Sequence, residues 1–368
     1  MEIQYQYRIG SLQLERLFIA LASEGFKNIG PVFRDGTVMI DPIESWHDIA
    51  SGCYEKIGKG KYEIIDNGDK SLFQYTLSPQ SFKKYLHPPK RKLWEADKAE
   101  RGFSISQSEQ PDKMAFWGIR SCDLEALEVL DRVFLNDTFE NNWYAKASAG
   151  LFIIATGCSI PSPNCFCTTV GSGPEPIKKY DLSLVEIKEG NSFYYLVSVG
   201  SSRGQMLADE LKFKKASKKD VEAARATLSN AVSQMDKRFD PKQVAKTLKQ
   251  HMDHGHWKEV AEKCLSCANC TMVCPTCFCT STEDITDITG EHTERWLRWD
   301  SCFNGDFSYI HGGQVRSSTK SRYRQWLTHK MSNWYDQFGT SGCVECGRCI
   351  TWCPVGIDLT EEINLICN

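Results

Sequence analysis

Two cysteine runs carry the chemistry of this chain. The first is Cys264-Leu-Ser-Cys267-Ala-Asn-Cys270-Thr-Met-Val-Cys274-Pro275, and the second sets Cys343, Cys346, Cys349, Cys353 and Pro354 at the same steps. C-x2-C-x2-C-x3-C-P is the spacing of a bacterial ferredoxin. Three close thiolates wrap one face of a [4Fe-4S] cubane, and the fourth cysteine is carried past it to ligate the other cluster. The spacing therefore predicts one cluster on Cys264, Cys267, Cys270 and Cys353, and a second on Cys274, Cys343, Cys346 and Cys349. The proline after each run has no N–H and a fixed φ, which ends the turn. The competing chemistry is a pair of zinc sites in a scaffold without redox activity. Zinc usually takes two CxxC pairs across a longer loop and does not need three cysteines at steps of three followed by Cys-Pro.

The chain holds seventeen cysteines, and its start, Met-Glu-Ile-Gln-Tyr-Gln, lacks the basic and apolar regions of a signal peptide. This predicts metal ligation in a reducing cytoplasm, not disulfides. Cys122 and Cys158 each follow a short apolar segment, Met114 to Gly118 and Leu151 to Ile154, which read as strands. Open α/β sheets place their sites at such strand ends. Cys165 and Cys167 follow on a loop opened by Pro161-Ser-Pro163. These four cysteines predict a third [4Fe-4S] cluster; the bland reading is four scattered buried thiols, and zinc suits four thiolates equally by count. Cys277, Cys279 and Cys302 are patterned but lack a fourth partner, so they stay unassigned. Cys53 reads as an isolated core or surface thiol. His251, His254 and His256 read as helix-end packing or capping, not as ligands.

A length of 368 residues accommodates two domains. The expectation is a mixed α/β domain over 1–240 and a helical two-cluster ferredoxin domain, with a long insertion, over 241–368. In the first, Leu12 to Ala22 and Leu124 to Phe134 have helical periodicity, the latter with Asp123 placed to cap it. Thr37 to Ile40, Tyr62 to Ile65 and Phe193 to Val199 read as strands, and Pro88-Pro89-Lys90 opens an extended basic segment. Ser217 and Asp240-Pro241 open two further helices. Within the insertion, 275–342, Thr282 to Ile285 and Lys320 to Tyr335 read as helices. Six of the ten tryptophans lie in this half, a core that would also keep water off the clusters. Arg316, Lys320, Arg322, Arg324 and Lys330 read as a solvated basic group, with offsetting of cluster charge as a secondary role.

A net charge of -3 and a pI near 6.3 argue against nucleic acid or an acidic membrane surface as partner. The apolar run Leu151 to Ala155, among the longest, is strand-sized, which predicts no membrane span. No G-x-G-x-x-G follows a strand, no P-loop is present, and no nucleophile signature stands apart from the metal-ligand cysteines. The chain reads as wiring, with no catalytic residue of its own.

With these residues in place, the sequence resembles the beta subunit of cytoplasmic sulfhydrogenase-type [NiFe] hydrogenases and its relative, the corresponding iron–sulfur subunit of anaerobic sulfite reductase. The resemblance runs through Pro88 to Glu95, Ser121-Cys-Asp123, Cys158 with Cys165-Phe-Cys167, Cys264 to Cys279, Arg298 to Cys302, and the second cysteine run. It implies an electron carrier between a [NiFe] hydrogenase catalytic unit and an FAD- and NAD(P)-binding subunit. In the sulfite reductase, or in a heterodisulfide-reductase-like assembly, the terminal enzyme differs, with a sirohaem subunit in the former. Where that family tends to have Gly-Gly-His before an arginine, this chain has Gly312-Gly-Gln314-Val-Arg316. Cys367 lies outside the shared pattern and reads as free.

Overall fold

The computed structural model describes residues 5–367 except 76–77, 108–109, 137 and 237–238. Its larger strands, in chain order, are β1 (Tyr7–Ile9), β2 (Lys27–Arg34), β3 (Thr37–Pro42), β4 (Cys53–Gly58), β5 (Lys61–Asp66), β6 (Lys90–Lys98), β7 (Phe103–Gln107), β8 (Met114–Arg120), β9 (Phe152–Thr156), β10 (Leu182–Glu189), β11 (Ser192–Val199), β12 (Lys214–Lys215), β13 (Thr280–Thr286) and β14 (His292–Trp299).

Eight of them form one mixed sheet, β12-β1-β11-β10-β9-β8-β2-β3. Its centre, β10-β9-β8-β2, is parallel, and the outer pairings are antiparallel. All seven residues of β8 are buried, as expected where a parallel strand is covered on both faces. One face packs on Leu14, Leu17, Phe18 and Leu21 of the helix Ser11–Ser23. The other packs on Leu124, Leu127 and Leu130 of the helix Ser121–Phe134, with Tyr144 of Asn142–Ala149.

The helices Pro241–Gln250, His256–Lys263, Thr319–Thr328 and Leu359–Cys367 surround a second core of Trp257, Tyr323, Trp326, Met331 and Ile363. Asp240 caps the first of these with bonds of 2.9 and 3.3 Å from Lys242 N and Gln243 N, and Pro241 occupies the first position. The long helical reading of 320–335 resolves into Thr319–Thr328, a π-turn at His329–Asn333 and Trp334–Phe338.

Three expectations are corrected. Thr282 to Ile285 is not helical but part of β13, which pairs with β14 from Thr280↔Trp299 to Thr286↔Thr293. Its Thr and Ile residues favour a pleated, half-exposed surface. β14 in turn pairs with β6 and β6 with β7, so this four-stranded sheet takes strands from both sides of residue 240. Asp123 does not cap its helix: Arg120 holds that position, and Asp123 is buried in the first turn. Lys330 is not a solvated residue; it is 7% exposed.

Among the described residues, no helix is long and apolar enough to cross a membrane.

Candidate metal centres

The two cysteine runs fold alike. Cys264 ends the helix His256–Lys263, and the chain then turns through two left-handed residues, Ser266 (φ 51°) and Ala268 (φ 63°), into the short helix Asn269–Met272 that carries Cys270. In the second run Glu345 (φ 59°) and Gly347 (φ 75°) occupy the same places before Arg348–Thr351, which carries Cys349. Each turn aims an N–H back at the first sulfur: Ser266 N to Cys264 Sγ and Glu345 N to Cys343 Sγ, both 3.4 Å. Ile357 N does the same for Cys353 Sγ at 3.3 Å. N–H groups donated to cluster sulfurs are one of the levers on potential. Glycine is needed at Gly347, because a Cβ there would lie 2.3 Å from Asn164 O.

The fourth cysteine of each run meets the other run. Cys353 joins Cys264, Cys267 and Cys270 around one apolar hollow, closed by Phe303, Tyr323 and Trp326. Cys274 joins Cys343, Cys346 and Cys349 around another, closed by Phe166, Trp326 and Met331. Cys349 borders both. The first hollow reaches the surface at Cys267, which is exposed beside exposed Leu265 and Val355. Burial raises the Cys264, Cys270, Cys343, Cys346 and Cys349 thiols above their ordinary range, and neighbouring sulfurs add to this. Thiols so disfavoured as bare anions are suited to a metal that takes up their charge.

Cys122 and Cys158 emerge from the neighbouring parallel strands β8 and β9 at the same edge of the sheet. The loop carrying Cys165 and Cys167 folds back over that edge, so that Cys158 lies within electrostatic reach of Cys122, Cys165 and Cys167. Burial is the main reason all four thiols are raised, Cys165 to about 12. This group adjoins the second run: Cys165 Sγ is 3.6 Å from Cys346 O, and Phe166 N donates to Glu345 O at 3.1 Å. Arg348 lies at the junction, facing Cys346 and Cys122, with its Nη1 buried and without a protein acceptor.

The donor set fits iron–sulfur clusters better than zinc. Among the described residues, the trio of Cys, His, Asp or Glu donors with ligating atoms all within 4.8 Å of one another is Glu95, His292 and Glu294. Four sulfurs around one zinc stand about 3.8 Å apart, as Zn–S bonds of about 2.3 Å require. Among the described residues, no three cysteine sulfurs lie so close together, in keeping with a larger inorganic core. The Glu95–Glu294 site already holds a cation, the Lys92 ammonium, 2.6 Å from Glu95 and bonded to Glu294.

The unassigned cysteines do not form a separate quartet. Cys277 hydrogen-bonds Cys274, and this bond, against the opposing effect of burial, holds the Cys274 thiol well below its ordinary range, with Lys330 adding to it. Cys279 and Cys302 flank the paired ends of β13 and β14, within electrostatic reach of each other. Cys53 is buried in the core of the large sheet, and Cys367 packs on the second core. The three histidines have protein partners: His251 Nδ1 meets Thr247 O at 2.9 Å, His254 accepts from His256 N, and His256 is bonded to Glu259 and Glu362.

Two buried cations lie here: Lys83, which sequence reasoning missed, and Lys330, which it reads as solvated surface with offsetting of cluster charge as a secondary role. Lys83 donates to Cys274 O and Cys277 O, both at 2.9 Å, and lies 3.8 Å from the centre of the Trp299 ring. Burial would lower the Lys330 ammonium, but Cys274, Cys277 and Cys343 together hold it well above its usual range. A signal for Lys330 existed, since it falls on the helical face of Trp326, Leu327 and Trp334.

Residues 263–357 match the family described as 4Fe-4S dicluster domain. The chain is 28% identical over 307 residues to sulfhydrogenase 2 subunit beta of Pyrococcus furiosus, a match covering 83% of this chain and 88% of that one. No solved structure matches it.

Proposed function

We propose that this chain, a homologue of a sulfhydrogenase beta subunit with a 4Fe-4S dicluster domain, is the iron–sulfur electron-transfer subunit of a multi-subunit hydrogenase. The observation that carries the proposal is the exchange of fourth cysteines, Cys353 into the first hollow and Cys274 into the second. Cys264, Cys267, Cys270 and Cys353 hold one [4Fe-4S] cluster, Cys274, Cys343, Cys346 and Cys349 the next, and Cys122, Cys158, Cys165 and Cys167 a third. Such clusters supply one-electron transfer at potentials set by charge, hydrogen bonds to sulfur and exposure.

The protein's own part is to place and insulate these sites. Phe303, Tyr323 and Trp326 keep water from the first hollow, and Trp326 and Met331 from the second. Ser266, Ile357 and Glu345 fix the sulfurs through their N–H groups. Shared Cys349 joins the first two sites, and Cys165 against Cys346 joins the second and third. The surface at Cys267, Leu265 and Val355 is where a redox partner comes closest. The partners in this reading are [NiFe] catalytic subunits together with an FAD- and NAD(P)-binding subunit, assembled in the cytoplasm.

Anaerobic purification of the chain with its partners tests this. The expected result is about twelve irons per chain, four for each cubane, co-purifying hydrogenase subunits, and no hydrogenase or NAD(P)H dehydrogenase turnover by the isolated chain. A colourless, zinc-loaded protein would refute it.

A further inference from the structure

We propose that Lys330 raises the reduction potential of the buried second site, that of Cys274, Cys343, Cys346 and Cys349, and so keeps this middle site able to accept an electron from the exposed first. This inference rests on the electron-transfer reading above.

The local fold puts the lysine there. The helix Thr319–Thr328 widens into a π-turn at His329–Asn333, an irregularity that often marks functional positions. Trp326, Leu327, Met331 and Trp334 are buried around this turn, and Lys330 enters the core among them. Lysine is seldom buried this fully without a partner. Here Nζ donates to Thr276 Oγ1 at 2.8 Å and approaches Gly342 O at 3.4 Å. Thr276 Oγ1 is itself 3.2 Å from Cys274 Sγ. Lys330 therefore lines the hollow of the second site directly, and a single hydroxyl links it to one of the four sulfurs.

The consequence is electrostatic. Adding an electron adds negative charge, and burial away from water disfavours this. A fixed ammonium at the edge of a low-dielectric hollow offsets that penalty, because its field is little screened there. Lys83, 3% exposed and bonded to the Cys274 and Cys277 carbonyls, adds a second buried cation beside Cys274. The cation near the first site, Arg322, is only partly buried and donates through Nη1 to Arg316 O and Ser317 O, so solvent screens its charge more than that of Lys330. Cys267 there is open to solvent, which does this work instead.

The test is a spectroelectrochemical titration, followed by electron paramagnetic resonance, of the anaerobically purified full chain. Wild type is compared with Lys330→Gln, which can keep the bonds to Thr276 and Gly342 without the charge, and with Lys330→Arg, which keeps the charge. The signal lost in Cys353→Ala identifies the first site. In Lys330→Gln the second site's reduced-to-oxidised ratio at a fixed potential should fall at least tenfold, a drop of about 59 mV for one electron. The first site should hold its potential, and Lys330→Arg should restore most of the second. Unchanged potentials in Lys330→Gln with full iron content would overturn the proposal. So would loss of the second site's iron in that variant with retention in Lys330→Arg, since the lysine would then assemble the site and not tune it. Wild-type protein without iron would instead refute the electron-transfer reading itself.

Discussion

Arg348 and Asp123 form an ion pair of 2.8 Å with both side chains nearly sealed from water, at 2% and 5% exposure. Arg348 belongs to the second cysteine run and Asp123 to the helix that follows β8, so the pair ties the ferredoxin domain to the large sheet. Arg348 is within electrostatic reach of both Cys346 and Cys122, where the proposed second and third sites adjoin. Arg348 also donates to Ser78 O at 3.2 Å.

Breaking this pair from one side should be costly. Asp123→Ala leaves the Arg348 guanidinium buried without its carboxylate, a loss of about 3–5 kcal/mol for a buried pair. Replacing both residues with apolar side chains of similar volume, Asp123→Leu with Arg348→Met, should recover most of it. Denaturant unfolding of the two variants checks both expectations. A single variant as stable as wild type would show that the pair does not hold the two domains together.

The exchange of fourth cysteines makes a crossed prediction. Cys353→Ala should disturb the cluster on Cys264, Cys267 and Cys270, although Cys353 belongs to the other run. Cys274→Ala should disturb the cluster on Cys343, Cys346 and Cys349. Resonance spectra of the two variants decide, and spectra assigning each loss to the variant's own run would contradict the arrangement.

His87 makes stability acid-sensitive. It is wedged between Phe134 and Trp299, with ring centres 5.0 and 6.0 Å away. Burial, aided by Lys83 and Arg91, lowers its pKa from 6.5 to about 3. The unfolded chain therefore takes up this proton below about 6.5 and the folded chain only near 3. The stabilisation is complete above 6.5 and is lost as pH falls through that window. Each pH unit inside it costs on the order of 1.4 kcal/mol for one proton. His87→Phe should unfold with a shallower pH dependence between 6.5 and 3; an identical slope would remove His87 from the account.

These relationships differ in how far the sequence disclosed them. The cysteine runs were readable because their geometry is local: spacing alone sets which thiolates share a face. Cys122 and Cys158 were readable at one remove, through the apolar strands β8 and β9 that deliver them. Arg348 with Asp123 was not, because the partners are 225 residues apart and no periodicity links them. β10 passed unread because Glu186, polar and yet buried, breaks its apolar pattern. Its carboxylate accepts from Leu72 N at 2.7 Å and from Tyr195 Oη at 3.1 Å. β13 was misread since almost all its residues are exposed, leaving no apolar face to set a period.

The third site gives the last prediction, and Cys158 is the residue on which to test it. Each of the other three cysteines lies within electrostatic reach of Cys158. Gly173 supports the same crowding: a Cβ there would lie 2.9 Å from Cys167 Sγ, so the loop closes tightly over this sulfur. Four thiols, two of them buried and two half-buried, would have little to pair with without a metal, whereas a cubane binds all four. Cys158→Ala should lower the iron content from about twelve to about eight per chain, one cubane fewer. The signals of the first two sites should survive, because none of their sulfurs comes from this loop. Gly173→Val should weaken the same site without touching a ligand, by pressing on Cys167. If both variants keep all their iron, Cys122, Cys158, Cys165 and Cys167 are packing residues and the electron path ends at the second site.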